Sequence, residues 1–163
     1  MMKQVVLGIG ELAASREEGS VIKTFALGSC VAIILFSPVT RTAGMVHVAL
    51  PDSKINPEKT RELPGYFADT GIPTLLREMV ALGNRPNGQG LIVKLIGGAS
   101  IMDPNDVFSI GKRNLLAIRK ILWGHGLGAI AEDVGGNYSR TVSVDVNSGV
   151  VSVFCPGRGQ WQV

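Results

Sequence analysis

Histidine and cysteine are both scarce in this 163-residue chain, with His47, His125, Cys30 and Cys155 the only examples. Four potential ligands so widely scattered do not have the paired spacing of a zinc knuckle. Two cysteines are also too few for a disulfide framework, so the fold must rest on its own core. The formal charge is only +3. That falls far short of the basic stripe by which a nucleic-acid binder neutralises phosphates. No apolar run approaches a membrane span, and Val5–Leu7 is too short for the core of a secretion signal. These absences point to a cytoplasmic protein with reduced thiols, without a nucleic-acid partner or membrane insertion.

What is present is apolar content of 45%, enough in a chain of this size to bury a core as one domain over residues 1–163. Alternating or continuous apolar runs predict strands over Lys3–Ile9, Val21–Leu27, Cys30–Phe36, Ala43–Leu50, Leu91–Ile96 and Gly128–Val134. Thr141–Val146 and Val150–Phe154 read as a hairpin across Asn147-Ser148-Gly149. Helices are expected over 69–82, with Pro73 in the first turn, and over 110–123, where Leu115, Ile118, Ile121 and Leu122 recur at helical spacing. Residues 11–20 read as polar loop, 51–65 as a long surface loop, and 157–163 as a glycine-rich tail. Strands in runs, outnumbering helices, predict an α+β fold: mostly antiparallel sheets in a sandwich, with the two long helices packed on one face.

Several apparent motifs dissolve on inspection. Gly8-Ile9-Gly10-Glu11-Leu12-Ala13 has the form of a dinucleotide fingerprint, but too few residues follow before the next strand for a crossover helix. Gly97-Gly98-Ala99 lacks the Lys-Ser/Thr of a phosphate loop and reads as a tight strand exit. His125, at a helix end, reads as structural. Cys155, next to Pro156, reads as a buried free thiol.

The remaining chemistry lies in Thr24-Phe25-Ala26-Leu27-Gly28-Ser29-Cys30 and Gly44-Met45-Val46-His47-Val48. A thiol attacks efficiently when an imidazole takes its proton, and the imidazole needs a third group to orient it. Cys30, His47 and Thr24 are the residue types for these three parts, on segments expected to be adjacent strands. On residue type alone, Cys30 reads more readily as a small buried hydrophobe than as a nucleophile, since apolar residues follow it at once.

Five ordered blocks narrow the choice: Thr24-x-x-Leu27-Gly28-Ser29-Cys30, Gly44-Met45-x-His47-x-x-Leu50-Pro51, Lys94–Ala99, Ile110–Asn114 and Ala131–Asn137. Together they resemble the chemoreceptor glutamine deamidase family CheD, across nearly the whole chain. The resemblance implies a fold like that of the toxin deamidases of the cytotoxic necrotizing factor type. It implies catalytic Cys30, His47 and Thr24, chemoreceptors as substrate, a CheC-type chemotaxis phosphatase as partner, and no metal or organic cofactor. Glutamine hydrolysis would run through a glutamyl thioester on Cys30. The same acyl chemistry extends to glutamyl methyl esters, since only the leaving group differs. Other classes compatible with the residues are a non-catalytic interaction module and a thiol amidase for small amides. Lys112, Arg113, Arg119 and Lys120 on the second helix are read as either a solvated face or a docking face for an acidic partner.

Overall fold

The computed structural model describes residues 3–101, 105 and 107–163. Its ten strands form two five-stranded sheets. The first sheet has the order β1-β3-β8-β9-β10: β1 (Lys3–Leu7), β3 (Ser20–Leu27), β8 (Arg140–Asp145), β9 (Val151–Cys155) and β10 (Gly159–Gln162). The second has the order β2-β5-β4-β6-β7: β2 (Leu12–Ser15), β5 (Thr42–Val48), β4 (Val31–Ser37), β6 (Ile92–Gly97) and β7 (Ala129–Val134). Three α-helices are described, α1 (Pro57–Glu62), α2 (Ala68–Ala81) and α3 (Ile110–Gly124), with three short 3-10 turns.

The strands β4 and β5 explain the layering. Every residue of both is buried, because the second sheet is the middle layer. Ala32, Ile34, Phe36, Ala43 and Met45 pack toward the first sheet, against Ile22, Val142, Val144 and Val153. The alternate residues Val31, Ile33, Leu35, Val46 and Val48 pack toward α2 and α3, against Ile72, Leu75, Met79, Leu115 and Ile118. Each such side chain taken out of water contributes about 1.5–3 kcal/mol before entropy is subtracted. The α+β class is therefore as expected, with α2 and α3 covering one face of the second sheet.

The sheets are mostly antiparallel, as expected, but each holds one parallel pair, β1 with β3 and β6 with β7, and three further details differ from the sequence reading. The second of these pairs is joined by α3 as a crossover, which strand runs do not announce. Two short strands, β2 and β10, form where polar loop and tail were expected, because each is an edge strand held by one neighbour, β5 and β9 respectively. Residues 51–65 are also more ordered than a loop. The Asn56 side chain accepts the Lys59 N–H at 3.0 Å and caps α1, and Ser53 N–H and Oγ both bond the Asp69 carboxylate. Lastly, α2 begins at Ala68, so Pro73 lies inside it and removes one helix hydrogen bond.

One polar cluster joins the two sheets. Arg140 on β8 is 2% exposed and donates from Nε to Asp133 on β7 at 3.0 Å, and from a terminal nitrogen to the Gly135 carbonyl at 2.8 Å. Trp161 on β10 donates its indole N–H to the same carboxylate. The Tyr138 ring is flanked by Arg140 and Arg158, with guanidinium carbons 4.3 and 4.0 Å from its centroid. Both cysteines are free thiols. Among the described residues, no helix is long and apolar enough to cross a membrane.

Candidate functional site

His47 lies on β5 opposite Ala32 of β4 and is 3% exposed. By strand alternation its side chain shares a face with Met45 and Ala43, the face turned to the first sheet. Thr24, on β3 of that first sheet, is fully buried, and its Oγ1 lies 2.7 Å from His47 Nδ1. The Thr24–His47 contact therefore spans the gap between sheets and does not run between adjacent strands of one sheet, as the sequence had suggested.

The hydrogen-bond inventory fixes the tautomer. A threonine hydroxyl has one proton, and Thr24 donates it to the Leu7 carbonyl at 2.8 Å. Toward His47 it can then only accept, so the imidazole carries its proton on Nδ1. Nε2 is left as a bare lone pair. It is buried and has no hydrogen-bond partner among the described residues. A buried acceptor without a partner costs about 1–3 kcal/mol, a cost tolerated mainly where the group has another use.

The backbone of His47 is clamped as well. Gly10 N–H donates to the His47 carbonyl at 2.8 Å, and His47 N–H donates to the Glu11 carbonyl at 3.1 Å. The Glu11 carboxylate folds back onto Gly8 N–H at 2.6 Å. The glycine-containing turn that imitates a nucleotide fingerprint is thus the seat of His47.

Cys30 immediately precedes β4 and is partly exposed. Val31 pairs with Val48 and Ala32 with His47, so Cys30 is the diagonal neighbour of His47 across the strand pair. Alternation puts its side chain on the Ala32 face, and Cys30 packs against that layer. The structure therefore brings Cys30, His47 and Thr24 to one end of the inter-sheet layer.

Burial governs the electrostatics. It pushes the His47 pKa down from 6.5 to about 4 and the Cys30 thiol above its ordinary value. Both groups are therefore uncharged at rest, Cys30 as a thiol and His47 as a neutral imidazole. The Cys30 backbone N–H opposes part of the upward push on the thiol.

The turn carrying Cys30 is held at three successive carbonyls. Ala99 N–H donates to Gly28 O at 2.8 Å, Asn114 Nδ2 to Ser29 O at 2.9 Å, and Gly98 N–H to Cys30 O at 2.9 Å. This tight approach explains two glycines. A Cβ on Gly97 would stand 2.3 Å from Cys30 O, and one on Gly111 would stand 2.4 Å from Gly98 O. The sequence reading of Gly97-Gly98 as a strand exit was therefore too modest, because the exit braces the Cys30 turn. Residue-by-residue reading of the sequence misses Asn114. Its signal was a polar residue on the buried stripe of α3, in line with Gly111, Leu115, Ile118 and Leu122.

Other expected positions are structural. Cys155 is 5% exposed on β9. His125 closes α3 with its backbone N–H. In the basic cluster, Arg119 is engaged bidentately with Glu132 at 3.1 and 2.7 Å.

Comparison with known proteins gives the same direction. A family model described as CheD chemotactic sensory transduction matches residues 49–154. A probable chemoreceptor glutamine deamidase CheD of Syntrophotalea carbinolica is 59% identical, over 99% of this chain and 100% of its own length. The chain belongs to the CheD family. The probable chemoreceptor glutamine deamidase CheD of Solibacter usitatus is 45% identical over 91% of this chain and 86% of its own. The chemoreceptor glutamine deamidase CheD of Thermotoga maritima is 40% identical over 98% and 96%. Thr24, Cys30 and His47 precede the span of the family model, but the alignment with the Syntrophotalea CheD omits only one residue of this chain.

Proposed function

We propose that this CheD protein hydrolyses glutamine side chains of chemoreceptors to glutamate, with Cys30 as nucleophile, His47 as base and Thr24 as the group that orients the base. The observation that carries this reading is the directional chain His47 Nδ1–H to Thr24 Oγ1–H to Leu7 O, which leaves Nε2 bare and buried on a residue diagonal to Cys30 across the β4–β5 pair.

In this reading Nε2 takes the thiol proton as Sγ attacks the amide carbon, and an oxyanion forms. Backbone N–H groups at Ser29 and Cys30 face that charge. The C–N bond then breaks, and ammonia departs with the proton returned by Nε2. The glutamyl thioester is hydrolysed by a water that Nε2 deprotonates, which releases glutamate and restores the thiol. A neutral carbonyl ends the relay where other triads place a carboxylate, so the imidazolium is only transient. A glutamyl methyl ester would follow the same route with methanol leaving. The setting is the cytoplasm, with a CheC-type phosphatase as partner and no cofactor in any step.

Incubating the protein with a receptor cytoplasmic fragment, and following ammonia release and the amide-to-acid mass increment, tests this. Cys30→Ala should abolish both signals while Cys155→Ala retains them. Turnover by Cys30→Ala at more than a few per cent of wild type would remove Cys30 from the nucleophile's role.

A further inference from the structure

We infer that Asn114 of α3 is a positioning residue for the reaction, setting the direction of the Cys30 N–H so that it meets the oxyanion. This rests on the deamidase reading and adds to it a residue from a third layer of the fold.

Asn114 is fully buried, and its Nδ2 donates twice, to Ser29 O at 2.9 Å and to Ala49 O at 3.0 Å. Both partners are carbonyl oxygens, so the amide cannot be turned over. Its Oδ1 would then face two acceptors. The two acceptors flank the site. Ser29 precedes Cys30, and Ala49 follows His47 by two residues. One side chain thus ties the start of the nucleophile's strand to the end of the base's strand.

The peptide plane transmits the effect. The Ser29–Cys30 peptide is trans, so its C=O and N–H point in opposite directions. Holding Ser29 O toward α3 turns the Cys30 N–H away from the helix layer, to the side where Cys30 packs against the inter-sheet core. That N–H lies close enough to its own Sγ to act on the thiol. An oxyanion formed one bond from Sγ would lie within its reach. Ala99 and Gly98 fix the peptides on either side through Gly28 O and Cys30 O. Among the described residues, the donor to Ser29 O is a side chain, whereas the donors to Gly28 O and Cys30 O are backbone. Asn114 Oδ1 is buried without a hydrogen-bond partner among the described residues.

Two chemistries of the same thiol separate this role from general support. Deamidation builds charge on oxygen and needs the N–H. Alkylation by iodoacetamide displaces iodide from carbon, builds no oxyanion, and needs only Cys30 and its base. Asn114→Ala and Asn114→Ser should lower kcat on the receptor fragment at least tenfold, toward the ~10²-fold typical of one lost oxyanion donor. KM should match wild type, and the Cys30 alkylation rate should fall by much less than kcat, with any shift of its pH profile upward because the displaced N–H no longer favours the thiolate. An unchanged kcat overturns the proposal, as does a fall in kcat matched by the alkylation rate, or a change confined to KM. If neither variant folds, Asn114 is a packing residue and the proposal is also overturned. Absence of deamidation by wild type itself would instead overturn the underlying deamidase reading, and the alkylation comparison would still be measurable.

Discussion

Acid should weaken this fold through His47 in a way that can be isolated. An unfolded histidine titrates near 6.5, whereas His47 in the fold is held down at about 4 by burial, with Nδ1 against Thr24 and Nε2 buried. Between those values the unfolded chain binds a proton that the folded chain does not. Unfolding therefore becomes easier as pH falls through that window, and the stability from keeping this imidazole neutral is fully present only above 6.5. At 1.36 kcal/mol per unit of pKa difference, the loss by pH 4 is about 3 kcal/mol. Carboxylates titrate near the lower end of the window, so the measurement should be a comparison. Urea unfolding of wild type and His47→Asn at pH 7 and pH 4 provides it, because Asn places an amide donor near the position of Nδ1 and does not titrate. Wild type should lose about 3 kcal/mol more than the variant over that interval. Activity should follow the same group, with an acid limb well below that of an ordinary histidine. Equal pH dependence of stability in the two proteins would refute the buried-neutral description of His47.

Thr24→Val keeps the shape but removes the acceptor that fixes the His47 tautomer. It should lower kcat about 10- to 10²-fold, less than His47→Ala, whose loss of general base costs about 10²–10⁴-fold. Steady-state rates on one receptor fragment check the order, and wild-type turnover by Thr24→Val would exclude Thr24 from the site. Arg140→Leu leaves Asp133 with the Trp161 indole and no ion-pair partner, at the seam between the sheets. Stripping one member from a buried pair costs about 3 kcal/mol or more, equivalent to about 10 °C in a chain of this length. Thermal unfolding reads it, and adding Asp133→Asn should recover part of the loss because the unpaired charge is gone.

The family and the three site residue types were legible in the sequence, as were most strands and both long helices. Periodicity reports which face is buried, and that is a local property. The runs at 31–37 and 42–48 read as buried strands because a middle layer admits no polar face. Pairing partners are another matter. That β1 lies parallel to β3, or that β2 and β10 are strands at all, depends on neighbours remote in sequence and not on the short segments themselves.

The same division holds at the site. Chain chemistry nominates Cys30, His47 and Thr24, and strand register alone carries Cys30 next to His47. Only the stacking of two sheets sets Thr24 against Nδ1, and only the β1 carbonyl at Leu7 decides which of the two donates. Asn114 reaches Ser29 across 85 positions of sequence because α3 lies against Gly98 with no side chain between them. Residue types carry the capacity for acid–base and thiol chemistry. The direction of each hydrogen bond, and so the identity of the bare nitrogen, belongs to the packed layers.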